Sequence, residues 1–421
     1  MSLHDSHIEK PFPVIFSKID KKRRVLLIPN LSRSFTVVSA AVIKRAGYMR
    51  RSVPMADDTA KMLGKKFVHN DICYPAQINI GECLNYIVSN KPDPASIAIV
   101  IAKNCRDCRA GQYATLARKA LDDAGYGNVP IVTTGKDTKG MHPGFKTGIL
   151  FSLRMLKGLS LIDALEKMRL KIRPYESECG QTDKIFDDSI NELVWAIEHK
   201  PHKCSRILKK AIESFNSIPV NMDVKRPKVF IIGEILMNYH ETANNHIVRY
   251  LEKNGFEVLM PDMVSFFQRE IIVGRAAISS GQTAFPLLQK IIVGVQEYFY
   301  NHVEQSTERA MRKFKYYMPK CSIEKLASHI DGMVDRTHTV GEGWLIPAEI
   351  IEYAEHGVRD FIIIQPFGCL PNQVTGKALI PTLKKKIGDV HIISLDYDAD
   401  TSMANIENRL QMLIMAAKDR Y

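Results

Sequence analysis

Three cysteines lie far apart in the chain, Cys73 in HNDICYPA, Cys108 in NCRDCRAGQY and Cys369 in QPFGCLPNQVTGK. Each sits where an apolar run gives way to a loop or the start of a helix. Thiolates are ligands of choice for soft metals and for iron-sulfur clusters. Ligand sites in open α/β sheets gather at the carboxyl ends of strands, where side chains from distant segments converge. The placement predicts one three-thiolate metal site with an iron-sulfur cluster as its expected occupant. Cys105 forms a C-x-x-C pair with Cys108, but no second such pair or histidine pair completes a tetrahedral zinc set. It is an additional ligand candidate.

Cys73 precedes Tyr74 and Pro75, so its backbone should be extended, and the helical pattern that follows offers unpaired N–H groups to a thiolate. His69, Asn70 and Asp71 lie just before Cys73, while Gln365, Asn372, Thr375 and Lys377 flank Cys369. These are expected to hydrogen-bond sulfur or cluster, not to catalyse. Glu342 in VGEGWL stands ahead of a helical run, as a first-turn acid or a proton-transfer group. Glu234 ends a strand and Asn244 and Asn245 open the next helix, where binding of an anion or substrate competes with plain capping. His240 reads equally as a surface residue or a base. Cys83 has helical spacing with Ile80, Leu84 and Ile87 and should pack; Cys179, Cys204 and Cys321 fall in polar helical surroundings and are expected to be incidental.

The elements that must carry these residues alternate between strand and helix. Residues 1–22 form an arm. VLLIPN, ASIAIVIAKN and VPIVTT supply strands, with helices near Thr36 to Ala46 and Ala114 to Ala124, so residues 23–135 make a first α/β domain. Residues 136–225 switch to helical periodicity, including the segment Ile190 to Phe215, and form a linker or lid. The second α/β domain, 226–421, opens with KVFIIGEIL and resumes with FIIIQP and VHIISLDYD around a basic, Tyr- and Phe-rich helical insertion at about 265–327. The fold class is α/β.

A chain of 421 residues with 45% hydrophobic content is globular and too long for one ordinary core. It has no apolar stretch of roughly 18 residues and no apolar signal core at its start, so the expectation is a soluble, cytoplasmic protein without a membrane partner. Eight irregularly spaced cysteines fit free thiols in a reducing interior better than a disulfide framework, and an anaerobic cytosol would suit them. The net charge of +12 is scattered over helix faces and short runs without interleaved aromatics, which argues against nucleic acid and leaves an anionic cofactor or an acidic protein partner.

Over nearly all its length from Val25, the chain resembles the last part of the large CoA-substrate-specific enzyme activase proteins, which are related to the 2-hydroxyacyl-CoA dehydratase family. The resemblance rests on KKFVHNDICYPAQINIGECL, CRAGQY, HPGFK, RPYE followed by QTD, GEILMNYHETANNHIVRYLEKNGFEVLMPD, VGEGWLIPAEI, QPFGCLPNQVTGKALI and ISLDYDADTSMANIENRL, in that order. It implies two flavodoxin-like doubly wound domains with a 4Fe-4S cluster between them, held by Cys73, Cys108 and Cys369 with one iron left open. It further implies low-potential electron transfer, or reductive radical chemistry on a CoA thioester, fed by a separate ATP-hydrolysing reductase with its own cluster. This chain lacks a G-x-x-x-x-G-K-[ST] loop and the actin-like ATP module of full-length activases, so it should receive electrons. The alternatives are a non-catalytic accessory that carries or scaffolds a cluster, and a reductase of small molecules built on an 8Fe-9S double cubane. An oligomer is expected.

Overall fold

The computed structural model describes residues 14–69, 72–101, 108–133, 141–338, 340–401 and 403–420. Two four-stranded parallel sheets organise them. The first contains β1 (Val25–Ile28), β2 (Arg50–Ser52), β3 (Ile97–Ile101) and β4 (Ile131–Thr133) in the order β2-β1-β3-β4. The second contains β5 (Lys228–Gly233), β6 (Glu257–Leu259), β7 (Asp360–Pro366) and β8 (His391–Tyr397) in the order β6-β5-β7-β8. Both follow the same rule, with the second strand outside the first and the third and fourth on the other side.

The inner strands β1, β3, β5 and β7 are near-continuous apolar runs because both faces of each sheet are covered, whereas the edge strand β2 is Arg-Arg-Ser. Alternate residues serve opposite faces. Leu27, Ile97, Ile99 and Ile131 pack with Ile80, Leu84 and Ile87, while Leu26, Ile28, Ala98 and Val132 pack with Ala40 and Ile43. In the second sheet, Phe230, Ile232, Phe361 and Ile363 meet Ile346 and Ile350, and Val229, Ile231, Ile362 and Leu395 face the other way.

The helix Tyr74–Asn90 belongs to both halves. Its Ala76, Ile80 and Leu84 serve the first core, whereas Tyr74 and Ile78 enter the core of the second sheet. Cys73 at its N-terminus is therefore fixed where the halves meet.

Between the sheets in sequence stand the helices Ile149–Ile172, Gln181–His199 and Cys204–Ser217. The segment expected as one helical stretch from Ile190 to Phe215 breaks at Pro201, whose ring and missing N–H end the helix before it. These helices bury a third core with Val38, Ala41 and Val42 of the helix Arg33–Arg45. The insertion is three helices, Met263–Ser279, Pro286–Met311 and Ile323–His329. No helix among the described residues is long and apolar enough to cross a membrane.

Candidate metal centre at the junction of the sheets

A cavity of about 760 Å³ opens at the carboxyl ends of both sheets, and Cys73, Cys108 and Cys369 all line it. Asn30 follows β1, Cys108 follows β3, Glu234 follows β5 and Cys369 follows β7, so the strand ends at both order reversals contribute. Ligand crevices in doubly wound sheets form at such points. Much of the remaining wall is apolar, including Phe35, Phe151, Met155, Phe266 and Phe267.

Local structure aims each thiol. Cys73 is extended, with φ −172° and ψ 125°, and caps the helix that begins at Tyr74, with Pro75 in its first turn. Cys108 is likewise extended, ahead of a 3₁₀ turn Arg109–Gln112, and the Arg109 guanidinium donates to the carbonyl of Ile72, tying the two cysteine segments together. A turn of π-helix over Asn372–Gly376 follows Cys369, an irregularity often found where a helix serves a site.

The immediate partners of sulfur are few. Cys73 Sγ is hydrogen-bonded to Tyr113 Oη at 3.0 Å, and Asn372 Nδ2 donates to Cys369 Sγ at 3.3 Å. Burial pushes the Cys73 thiol up to about 11, against the favourable influence of Tyr113 and the Ala76 N–H. Burial, with the charges of Glu342 and Glu234, drives Cys369 well above the ordinary thiol range, while the Asn372 N–H opposes them. The backbone donor expected for Cys73 is thus present three residues on, and Cys369 has one at the same spacing.

Beside the thiols are two acids lining the cavity, the half-buried Glu234 and the buried Glu342. Gly341 and Gly343 have φ of +57° and +56°, a region that side chains disfavour, and a Cβ on Gly341 would lie 2.5 Å from Pro371. The two glycines let the chain turn sharply around Glu342 beside the Cys369 loop. Both Glu342 oxygens accept hydrogen bonds, Oε1 from the Ile235 N–H at 2.8 Å and Oε2 from Asn372 Nδ2 at 2.9 Å. Glu234 accepts from the Met237 N–H at 2.9 Å. Burial and then the charge of Glu342 push Glu234 up to about 8. Burial pushes Glu342 up as well, against its bonds from the Ile235 N–H and Asn372, so the two carboxyl groups compete for a proton.

The other sequence candidates divide. Asn372 reaches sulfur, but Gln365 donates to Asp396 at 2.6 Å and Lys377 pairs with the same carboxylate at 2.9 Å. Thr375 donates to the Pro371 carbonyl four residues back. None of these last three lines the cavity, nor does the exposed His69. Asn70, Asp71 and Cys105 lie outside the described residues. Asn244 is buried in capping contacts, donating to the Met237 carbonyl at 2.8 Å, and Asn245 adopts φ +55° beside it. Neither lines the cysteine cavity.

His240 is neither a surface residue nor exposed to substrate. It is fully buried, its Nδ1 accepts from the Ala243 N–H, and its Nε2 donates to Glu82 Oε1 at 2.9 Å. Glu82 also accepts from the Asn30 N–H, Asn30 Nδ2 and the Ala56 N–H. This cluster joins the helix that starts at Cys73 to the second half. Sequence reading missed it, and missed Tyr113, although Tyr113 stands inside CRAGQY.

Cys83 is buried among Ile80, Leu84 and Ile87 as its spacing predicts. Cys204 is buried too, in the helical core, contrary to the polar surroundings expected for it, because it opens the helix that closes that core. Cys179 is exposed, and Cys321 lies beside Glu352. Among the described residues, one set of three His, Cys, Asp or Glu ligand atoms falls within 4.8 Å of one another: His329, Glu352 and Glu355. There the Lys325 ammonium already neutralises Glu352 at 2.7 Å. Cys73, Cys108 and Cys369 do not form such a set.

No known family model matches the chain, and comparison with curated proteins finds no match.

Proposed function

We propose that this chain is an iron-sulfur protein of the 2-hydroxyacyl-CoA dehydratase and activase superfamily, built from two flavodoxin-like domains. Cys73, Cys108 and Cys369 hold one 4Fe-4S cluster in the cavity between the sheets. The observation that carries the proposal is the convergence of these three cysteines, from segments remote in sequence, on one cavity beside buried hydrogen-bond donors. The repeated strand order agrees with the start of the flavodoxin-like order 2-1-3-4-5. When bound, the cluster would supply a low-potential electron and an iron with an open position.

The chain's own residues prepare that chemistry. Buried thiols must lose their protons to bind metal, so loading releases protons. Tyr113 and Asn372 then steady the two thiolates through hydrogen bonds. The apolar wall excludes water, and the cavity volume falls within the range of about 300–1,000 Å³ typical of ligand sites. The pair Glu234 and Glu342 offers a proton at a carboxyl group. This acid pair and the roomy cavity favour reductive chemistry on a CoA thioester over a purely accessory carrier. Electrons come from a separate ATP-hydrolysing reductase, in an anaerobic cytoplasm. Among the described residues no further cysteine lines the cavity, which favours one cubane over the 8Fe-9S cluster.

The test is iron and acid-labile sulfide content, with electron paramagnetic resonance of the dithionite-reduced protein, on wild type and Cys108→Ala purified without oxygen. About four irons per chain that vanish in the variant support the proposal. Absence of iron after reconstitution contradicts it.

A further inference from the structure

The helix Pro286–Met311 exposes an unusual surface over its first half. Phe285, just before it, is 71% exposed, Leu287 79%, Leu288 56%, Ile291 65%, Val295 47% and Tyr298 66%. The opposite side of the same turns is fixed to the protein. Val293 is buried against Gly274 of the helix Met263–Ser279, where a Cβ would come within 2.7 Å of it, and Arg275 pairs with Glu297. The apolar stripe therefore belongs to a braced helical hairpin, not to a frayed end. Contiguous patches of this size on a soluble chain mark interaction surfaces.

We propose that this stripe is the interface of a homodimer, in which two copies of the helix pack antiparallel across a two-fold axis. Leu288, Ile291, Val295 and Tyr298 follow the alternating three- and four-residue spacing of a helix-pairing seam. An axis on the exposed side of the helix, at the level of Val293, sets Leu288 opposite Tyr298 and Ile291 opposite Val295, so every large apolar residue of the seam meets another. Gly294 lies in the middle, and a Cβ there would meet nothing within 4 Å, which lets the two backbones approach. A surface complementary to itself in this way is what an isologous contact requires.

The area is sufficient. A standard interface buries on the order of 800 Å² per partner, and an aromatic side chain alone contributes about 150–250 Å² when covered; two aromatic and four aliphatic side chains approach that size. A lipid surface is the poorer occupant, because interfacial helices carry a strongly basic polar face, and the first half of this helix has Lys290 as its only basic residue.

The experiment is sedimentation velocity and light scattering of the full chain across the micromolar range. The expected mass is twice the 47.6 kDa of one chain. Ile291→Glu and, separately, Leu288→Glu should weaken the dimer by about 100-fold or more, since each change enters a symmetric interface twice, with circular dichroism and the thermal transition unchanged. Met412→Glu with Met415→Glu, on another exposed apolar face, should leave the dimer intact. A monomeric wild type at every concentration, or an unweakened dimer in both helix variants, overturns the proposal. So does flotation of wild type, but not Ile291→Glu, with anionic vesicles.

Discussion

The two halves of this protein place different chemistry at equivalent points of one topology. After the third strand of its sheet each half supplies a cysteine, Cys108 following β3 and Cys369 following β7. Ahead of the helix that leads into that strand, the first half has Cys73 and the second has Glu342. After the first strand, the first half has Asn30 and the second Glu234. The first half thus gives the cavity two thiols and an amide, the second one thiol and two carboxyl groups. Under the proposed function, this repeated scaffold is specialised half by half, with more of the sulfur in the first half and the carboxyl groups in the second.

The halves also treat buried acids differently. Glu82 on the first half's helix Tyr74–Asn90 has four donors. Glu349 on the corresponding helix Leu345–Glu355 is buried with its Oε2 lacking a partner among the described residues, and burial pushes it up to about 8. Satisfied acids lock structure, whereas unsatisfied ones titrate.

The largest expected effect comes from breaking the sulfur side. Cys73→Ala should remove nearly all bound iron, as a first-half ligand without which two thiolates remain; iron assay of anaerobic protein checks it. Next is the link between the halves. Glu82→Ala takes the acceptor from His240 and from the Asn30 and Ala56 N–H groups, all buried, and should cost about 3–5 kcal/mol, read as a shift in the urea midpoint, while Glu82→Gln should cost less.

Which features were legible in sequence follows from the range of the interactions. The strands and the three cysteines were readable because apolar runs and their ends are local signals. The pairing of Glu234 with Glu342, and of Glu82 with His240, depends on the halves being brought together, and no local pattern records that. Gln365 and Lys377 were misplaced for the opposite reason: nearness to Cys369 in sequence suggested contact, but the strand pleat and the following turn send them to Asp396. Pro201 was a readable helix stop that the long helical pattern around it obscured.

Smaller effects sharpen the comparison on the second half. Asn372→Ala removes a donor to Cys369 Sγ, and hydrogen bonds to cluster sulfur raise its potential. The whole strength of one charge-assisted bond, about 1.5–3 kcal/mol, bounds the fall at roughly 60–130 mV, measured by redox titration of the resonance signal. For Glu349, the folded state holds its proton up to about pH 8 whereas the ordinary value is 4.5. The folded state binds more protons in that window, so stability contributed by this group is greatest below 4.5 and is lost as pH rises through 8. Glu349→Gln should flatten that decline, seen as a smaller drop in Tm between acid and alkaline buffer.

The most direct measurement is iron content per chain in Cys108→Ala and Cys369→Ala, side by side with Cys83→Ala, all purified without oxygen. One cluster shared between the halves predicts that both cavity variants lose iron to a similar extent while Cys83→Ala, altered in a packed core, keeps it. Full iron in Cys369→Ala would contradict the shared site and confine any metal to the first half.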